Sequence, residues 1–178
     1  MFKEIAKIIS GRDRYLAELV ENVGNMIYID SYCVILKGRS IAERVAKNII
    51  AIEEIKDKDE LNQKDRIYTL EVEGLLEEEI SKAFHTIRFL GNKVIHDEIE
   101  GAFETELTIC RNLYKILSWY VVVYIDHNYE IKEYMEPKII EKIREAEKQS
   151  NITMQISIDP YEWYKTKKCG QRFRGSVM

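Results

Sequence analysis

Apolar residues recur at intervals of three and four through most of the chain, the spacing of amphipathic helices. Phe2, Ile5, Ile8 and Ile9 predict a short first helix, and Tyr15, Leu16, Leu19, Val20 and Val23 a second that Gly24 is expected to close. From Met26 the repeat continues through Ile29, Tyr32, Cys33, Leu36, Ile41, Val45, Ala46, Ile49 and Ile52, which predicts one long element with Gly38 as a weak point. The charged run Glu53–Glu60 reads as a solvated connection or, since it lacks Gly and Pro, as a continuation of that helix. Asp65–Glu73 is a short helix broken by Gly74, followed by helices over Glu77–His96 and Phe103–Tyr124. The β-branched run Val121–Val123 also suits a strand.

The last third changes character. Glu130–Gln149 predicts a charged helix that Pro137 kinks or restarts. Beyond it Ile152, Met154, Ile156 and Ile158 alternate with Thr153, Gln155 and Ser157, a period-two strand signal. A lone strand must pair across a dimer, dock on the helices or belong to a further domain. The expected fold is therefore all-α, a helical bundle over residues 1–150, with a short C-terminal β-strand or extended tail over 151–178.

Composition narrows the function classes. In 178 residues, 46% hydrophobic and 33% charged, there are only two prolines and eight glycines, too few turn formers for a β-sandwich and too much apolar content for a disordered chain. The net charge of −4 gives no general attraction for polyanions, so nucleic-acid contact requires a local basic patch. Cys33, Cys110 and Cys169 have neither zinc spacing nor a disulfide pattern, which suits a reducing cytoplasm. Met1–Ser10 lacks the apolar core of a signal peptide, and the apolar run Ile116–Ile125 is about half the ~20 residues a membrane span needs. A phosphate-cradling glycine loop, a helical HExxH and a nucleophile elbow are all missing, so no cofactor or metal is expected.

The chemistry-bearing pattern lies on the Glu77–His96 helix. At 100° per residue Ser81, His85, Arg88, Asn92 and His96 project within a wedge of roughly 80°, beside the apolar face rather than opposite it. Arg88, Asn92 and His96 are successive fourth residues, with Asn92 in reach of both neighbours. Such a stripe reads either as a buried polar network that fixes helix packing or a dimer interface, or as a site in which His moves a proton and Arg neutralises an anion. His96 near a helix end also complements the helix dipole. Arg39 and Glu43, one turn apart, read as an ion pair that orients the stripe from an adjacent helix or merely decorates its own. His127 between Asp126 and Asn128 reads as a loop residue, and Trp119 and Tyr120 as core.

The stretch Arg66–His96, RIYTLEVEGLLEEEISKAFHTIRFLGNKVIH, resembles the signature of a branch of the HEPN superfamily found as an uncharacterised domain beside restriction-enzyme subunits. The likeness lies in the Arg-Ile of the preceding helix, the GLL turn, and the core of Ile87, Arg88, Gly91, Asn92 and His96. KGRSIAERVA at Lys37–Ala46, with Arg39 and Glu43, and the closing helix Leu113–Tyr124 extend it to about two thirds of the chain. The resemblance implies a bundle that often forms a homodimer with its Arg and His motifs at the interface, and, in many members, metal-independent ribonuclease activity in prokaryotic defence. In those nucleases four to six residues separate the Arg from the His. Here Gly91 precedes Asn92 and seven residues lie between Arg88 and His96, which displaces the clamp by one turn.

Two expectations compete, and a third stands beside them. The first is a divergent HEPN-like module for binding or assembly, and the second an endoribonuclease using His96, Arg88 and Asn92. The third is a structural partner of a larger defence-system protein. At the C-terminus Tyr161, Trp163, Tyr164 and Phe173 interleave with Lys165, Lys167, Lys168, Arg172 and Arg174, a mixture that suits stacking on RNA bases and holding phosphates, and equally a partner-binding tail.

Overall fold

The computed structural model describes residues 1–27, 29–56, 61–96 and 102–136, with side chains except at 94–96 and 102–103. Six helices follow one another: α1 (Phe2–Ile9), α2 (Arg14–Met26), α3 (Ser31–Ile52), α4 (Gln63–Val72), α5 (Glu78–His96) and α6 (Ala102–Tyr124). The all-α class is as expected, and no helix among the described residues is long and apolar enough to cross a membrane. All described residues fall within the unit Met1–Pro137. The expected strand at 152–158 and the basic, aromatic tail lie outside the described residues.

Three expectations are corrected, and one open alternative is decided for the helix. Gly24 does not close α2 but sits inside it, where a Cβ would stand 3.1 Å from Phe2 Cβ; the missing side chain lets α1 approach. The long element starts not at Met26, which is the last residue of α2, but at Ser31, because Asp30 caps α3 by accepting from the Cys33 amide at 2.9 Å, and a residue engaged in capping is extended rather than helical. Val121–Val123 is helical, carried by the burial of Trp119, Tyr120 and Val121 in the apolar phase of α6. Glu130–Glu136 is not helical: the Tyr114 hydroxyl donates to the Lys132 carbonyl at 2.8 Å, and the Tyr134 ring packs 5.4 Å from that of Tyr114. Lys132 also pairs with Glu4 at 2.7 Å, and Arg111 with Glu136, so this segment straps α1 to α6.

The centre of the bundle is made by α3, α5 and α6. Ser31 meets Glu106, Gly38 meets Ile109 and Asn48 meets Tyr120, so α3 and α6 run parallel; Glu79 faces Lys115, and α5 runs back against both. Val34, Ile35, Ile41, Val45 and Ile49 of α3 are fully buried together with Phe84, Ile87, Leu113 and Leu117. Two consecutive residues set the spacing. A Cβ on Gly38 would stand 2.5 Å from Ile109 Cγ2, and a Cβ on Gly91 would stand 3.0 Å from Arg39 Cδ. Gly38 thus admits α6 on one side of α3, while Gly91 admits the Arg39 stem, and with it α5, on another.

Because Cγ2 branches directly from the Ile109 Cβ it has little freedom to retreat. Gly38→Ala is expected to destabilise the protein by about 1–3 kcal/mol through overpacking. Ile109→Ala in the same chain should relieve part of that loss, giving a double variant more stable than the sum of its single effects. Thermal melting of the four proteins measures this; strict additivity contradicts the contact.

Candidate functional site

The turn between α4 and α5 aims the polar stripe. Gly74 adopts φ +69°, the Leu75 amide donates to Leu70 O at 2.9 Å and the Gly74 amide to Glu71 O at 3.0 Å, the paired bonds of a Schellman cap. Only a left-handed residue closes α4 in this way, and the chain then turns back so that α5 lies on α4. Ser81 and His85, both on α5, reach the same acceptor on α4: His85 Nε2 lies 3.0 Å from Glu71 Oε1, and the Ser81 hydroxyl donates to that oxygen.

Serine, histidine and carboxylate side by side suggest a nucleophilic triad, but the order is wrong. In a triad the imidazole stands between hydroxyl and carboxylate and takes the hydroxyl proton. Here the carboxylate stands in the middle and Ser81 does not reach the imidazole, so the cluster is a clip between two helices. The Ser81 hydrogen bond, opposed by partial burial and reinforced by His85, holds the Glu71 carboxyl below its ordinary range.

The other half of the stripe differs. Arg88 lies at the edge of the apolar face, and its Nε is buried without a hydrogen-bond partner among the described residues. Asn92 is half-buried and makes no hydrogen bond among the described residues. Beside them Arg39 Nε donates to Glu43 Oε1 at 2.9 Å, and the Arg39 stem crosses Gly91. Arg39 and Glu43 therefore do reach the seam between α3 and α5. They bond to each other there rather than to Arg88. Residue 96 is the last of α5, and the His96 side chain lies outside those described, as do Lys165, Lys167, Lys168, Arg172 and Arg174. The stripe is thus divided: Ser81 and His85 are bound within the chain, whereas Arg88 Nε and Asn92 make no hydrogen bond among the described residues.

His127 is a loop residue whose Nδ1 lies 2.7 Å from Val122 O, and Trp119 and Tyr120 are core. The described residues hold no group of three or more metal-binding side chains. Glu71 was invisible to periodicity, because its partners come from another helix. Glu106, fully buried, accepts from the Ser31 hydroxyl at 2.5 Å, and its signal was its place in the phase of Cys110, Leu113 and Leu117. Burial, with the Glu106 charge in support, pushes the Cys110 thiol up to about 12, so it is an inert core group rather than a nucleophile. No protein-family model matches the chain, and neither does any curated protein or solved structure.

A carboxyl whose folded pKa is depressed stabilises the fold above its unfolded value and loses that contribution as pH falls through the folded one. Wild type should therefore exceed Glu71→Gln most at pH 7, with the gap narrowing below the ordinary carboxyl value of 4.5. Urea unfolding of both proteins from neutral to acid pH tests this, and a gap independent of pH contradicts the clip.

Proposed function

We propose that the chain is a divergent HEPN-like helical module that works by binding and assembly in a prokaryotic nucleic-acid or defence setting, as a homodimer joined over the Arg88–His96 end of α5. One observation carries this reading: the buried, unpartnered Nε of Arg88. An unsatisfied buried donor costs about 1–3 kcal/mol, and more where charge is involved. Arg88 as a whole is only half-buried, so a small shift of its side chain brings the guanidinium to a carbonyl, carboxylate or phosphate supplied from outside the chain and removes that cost, which gives the isolated subunit a reason to associate. Phe89, the next residue, is 63% exposed, and Tyr32 and Leu36 of α3 are also exposed, so apolar surface is available in addition to the polar seam. The divided stripe supports the same reading, because its inner half is used for folding and its outer half is not.

A ribonuclease is the second reading, favoured by the availability of both Arg88 and Asn92. In it His96 transfers a proton to or from the 2′-hydroxyl or the leaving oxygen and Arg88 neutralises the phosphate, with Asn92 as the orienting group. The displaced clamp places binding ahead of it.

Wild type should sediment as a dimer. Arg88→Met keeps the stem, removes the donor, and is expected to weaken association about tenfold or more without lowering the stability of the dilute monomer. A strict monomer, or a variant that associates as well as wild type, defeats the assembly reading. For the second reading, single-stranded RNA is incubated with the protein in EDTA: cleavage by wild type but not by a folded His96→Ala establishes it, and no cleavage by wild type removes it.

A further inference from the structure

We propose that a second surface, formed by Arg12 and Tyr15 at the start of α2 with Arg44 and Lys47 of α3, binds single-stranded nucleic acid, a base stacking on Tyr15 while the three cations hold the flanking phosphates. The arrangement begins with a helix cap. Asp13 accepts from the Leu16 amide at 2.9 Å through Oδ1, and through Oδ2 from Arg44 Nε at 2.8 Å and Asn48 Nδ2 at 3.0 Å. Asn48 is in turn 3.5 Å from the Tyr120 hydroxyl. These bonds fix the Arg44 side chain by its Nε edge. Its guanidinium carbon stands 5.8 Å from the centroid of the Tyr15 ring, a cation–π contact.

What remains is more than a cap requires. The terminal nitrogens of Arg44 make no bond to any described group, and Arg12 and Lys47 are exposed cations in no ion pair among the described residues. Lys47 stands one turn beyond Arg44 on the outer face of α3. Tyr15 is 59% exposed, so most of this ring buries nothing in the core. Three cations less Asp13 leave a local excess of two positive charges on a chain whose net charge is −4. Arg14 adds nothing to that excess, because Glu18 pairs with it at 3.1 Å.

The ring selects the ligand class. An acidic peptide or a free phosphate would be satisfied by the cations alone, whereas an exposed aromatic beside a guanidinium fork offers a platform for a planar base and donors for a phosphate. A duplex hides the faces of its bases, so the ligand is a single strand. The surface involves none of Arg39, Glu43, Arg88 and Asn92, and the inference stands apart from the HEPN reading.

Binding of a fluorescent deoxythymidine oligomer of about a dozen nucleotides is to be followed by anisotropy. Without a 2′-hydroxyl it cannot be cleaved by the route considered above. Tyr15→Ala, at an exposed position, should weaken binding by roughly 5- to 150-fold, the worth of one stacked base. Arg12→Glu with Lys47→Glu should weaken it further and flatten its dependence on salt between about 50 and 200 mM. Circular dichroism checks that each variant keeps its helices, and Arg88→Met is expected to bind as wild type does. The proposal is overturned by any of these results: no saturable binding to wild type, equal binding by folded Tyr15→Ala, or equally effective competition from polyglutamate or an abasic oligomer. Loss of binding in Arg88→Met alone overturns it as well, by placing the nucleic acid on the other seam. A monomeric mass touches only the assembly reading.

Discussion

The close approach of three helices at Gly38 and Arg39 governs the arrangement of everything else. Residue 38 has no side chain and residue 39 has a long one, and the two are used on different sides of α3. Where the side chain is missing, Ile109 of α6 comes within a distance that even a methyl group would forbid. The next residue lays its aliphatic stem over a second missing side chain, that of Gly91, and carries its charge outward to Glu43. A long cationic side chain can cover backbone in this way because its stem is apolar and only its head needs water or a counter-ion. The depth of α5 in the bundle, and so the height at which Arg88 and Asn92 emerge, follows from that contact.

The polar stripe shows how one helix face is put to two uses. Ser81 and His85 lie where α4 is close enough to supply a carboxylate, so their hydrogen-bonding capacity is consumed in joining two helices. One turn further on, the neighbouring chain is Arg39, a cation already paired, and it has nothing to offer a guanidinium. The difference between structural and available polar groups therefore comes from the neighbour and not from residue type. Spacing along α5 could reveal the stripe but not this division.

Much of the fold was legible because burial imposes a 3.6-residue repeat on any helix with one wet face. That repeat located the six helices among the described residues, since the residues that recur in sequence are those that fill the core. It failed at boundaries decided by a single polar side chain. Asp30 ends an apolar repeat that continues through it, and Gly24 looks like a stop because sequence does not show that Phe2 needs its space. Residues 130–136 have the composition of a helix, yet Tyr114 from the core, which bonds the Lys132 carbonyl and packs against Tyr134, makes a non-helical path more favourable. At the candidate site, Arg88, Asn92, Arg39 and Glu43 were found from spacing and resemblance, whereas Glu71 and the Asp13–Arg44–Tyr15 arrangement depend on contacts between helices distant in sequence.

Those last two clusters are built alike and end differently. In each, one carboxylate gathers donors from a second helix: Glu71 takes a hydroxyl and an imidazole, and Asp13 takes a guanidinium and an amide. The hydroxyl is bonded through its only proton and the imidazole keeps just Nδ1, so the first cluster has little left to donate. A guanidinium has five N–H groups, and engaging one through Nε leaves the terminal nitrogens oriented but unused. Orientation without saturation favours binding, since part of the entropy of ordering the side chain has already been lost in folding. By that criterion the terminal nitrogens of Arg44 are oriented in advance, whereas Arg88, whose Nε makes no bond among the described residues, is held by its packing alone.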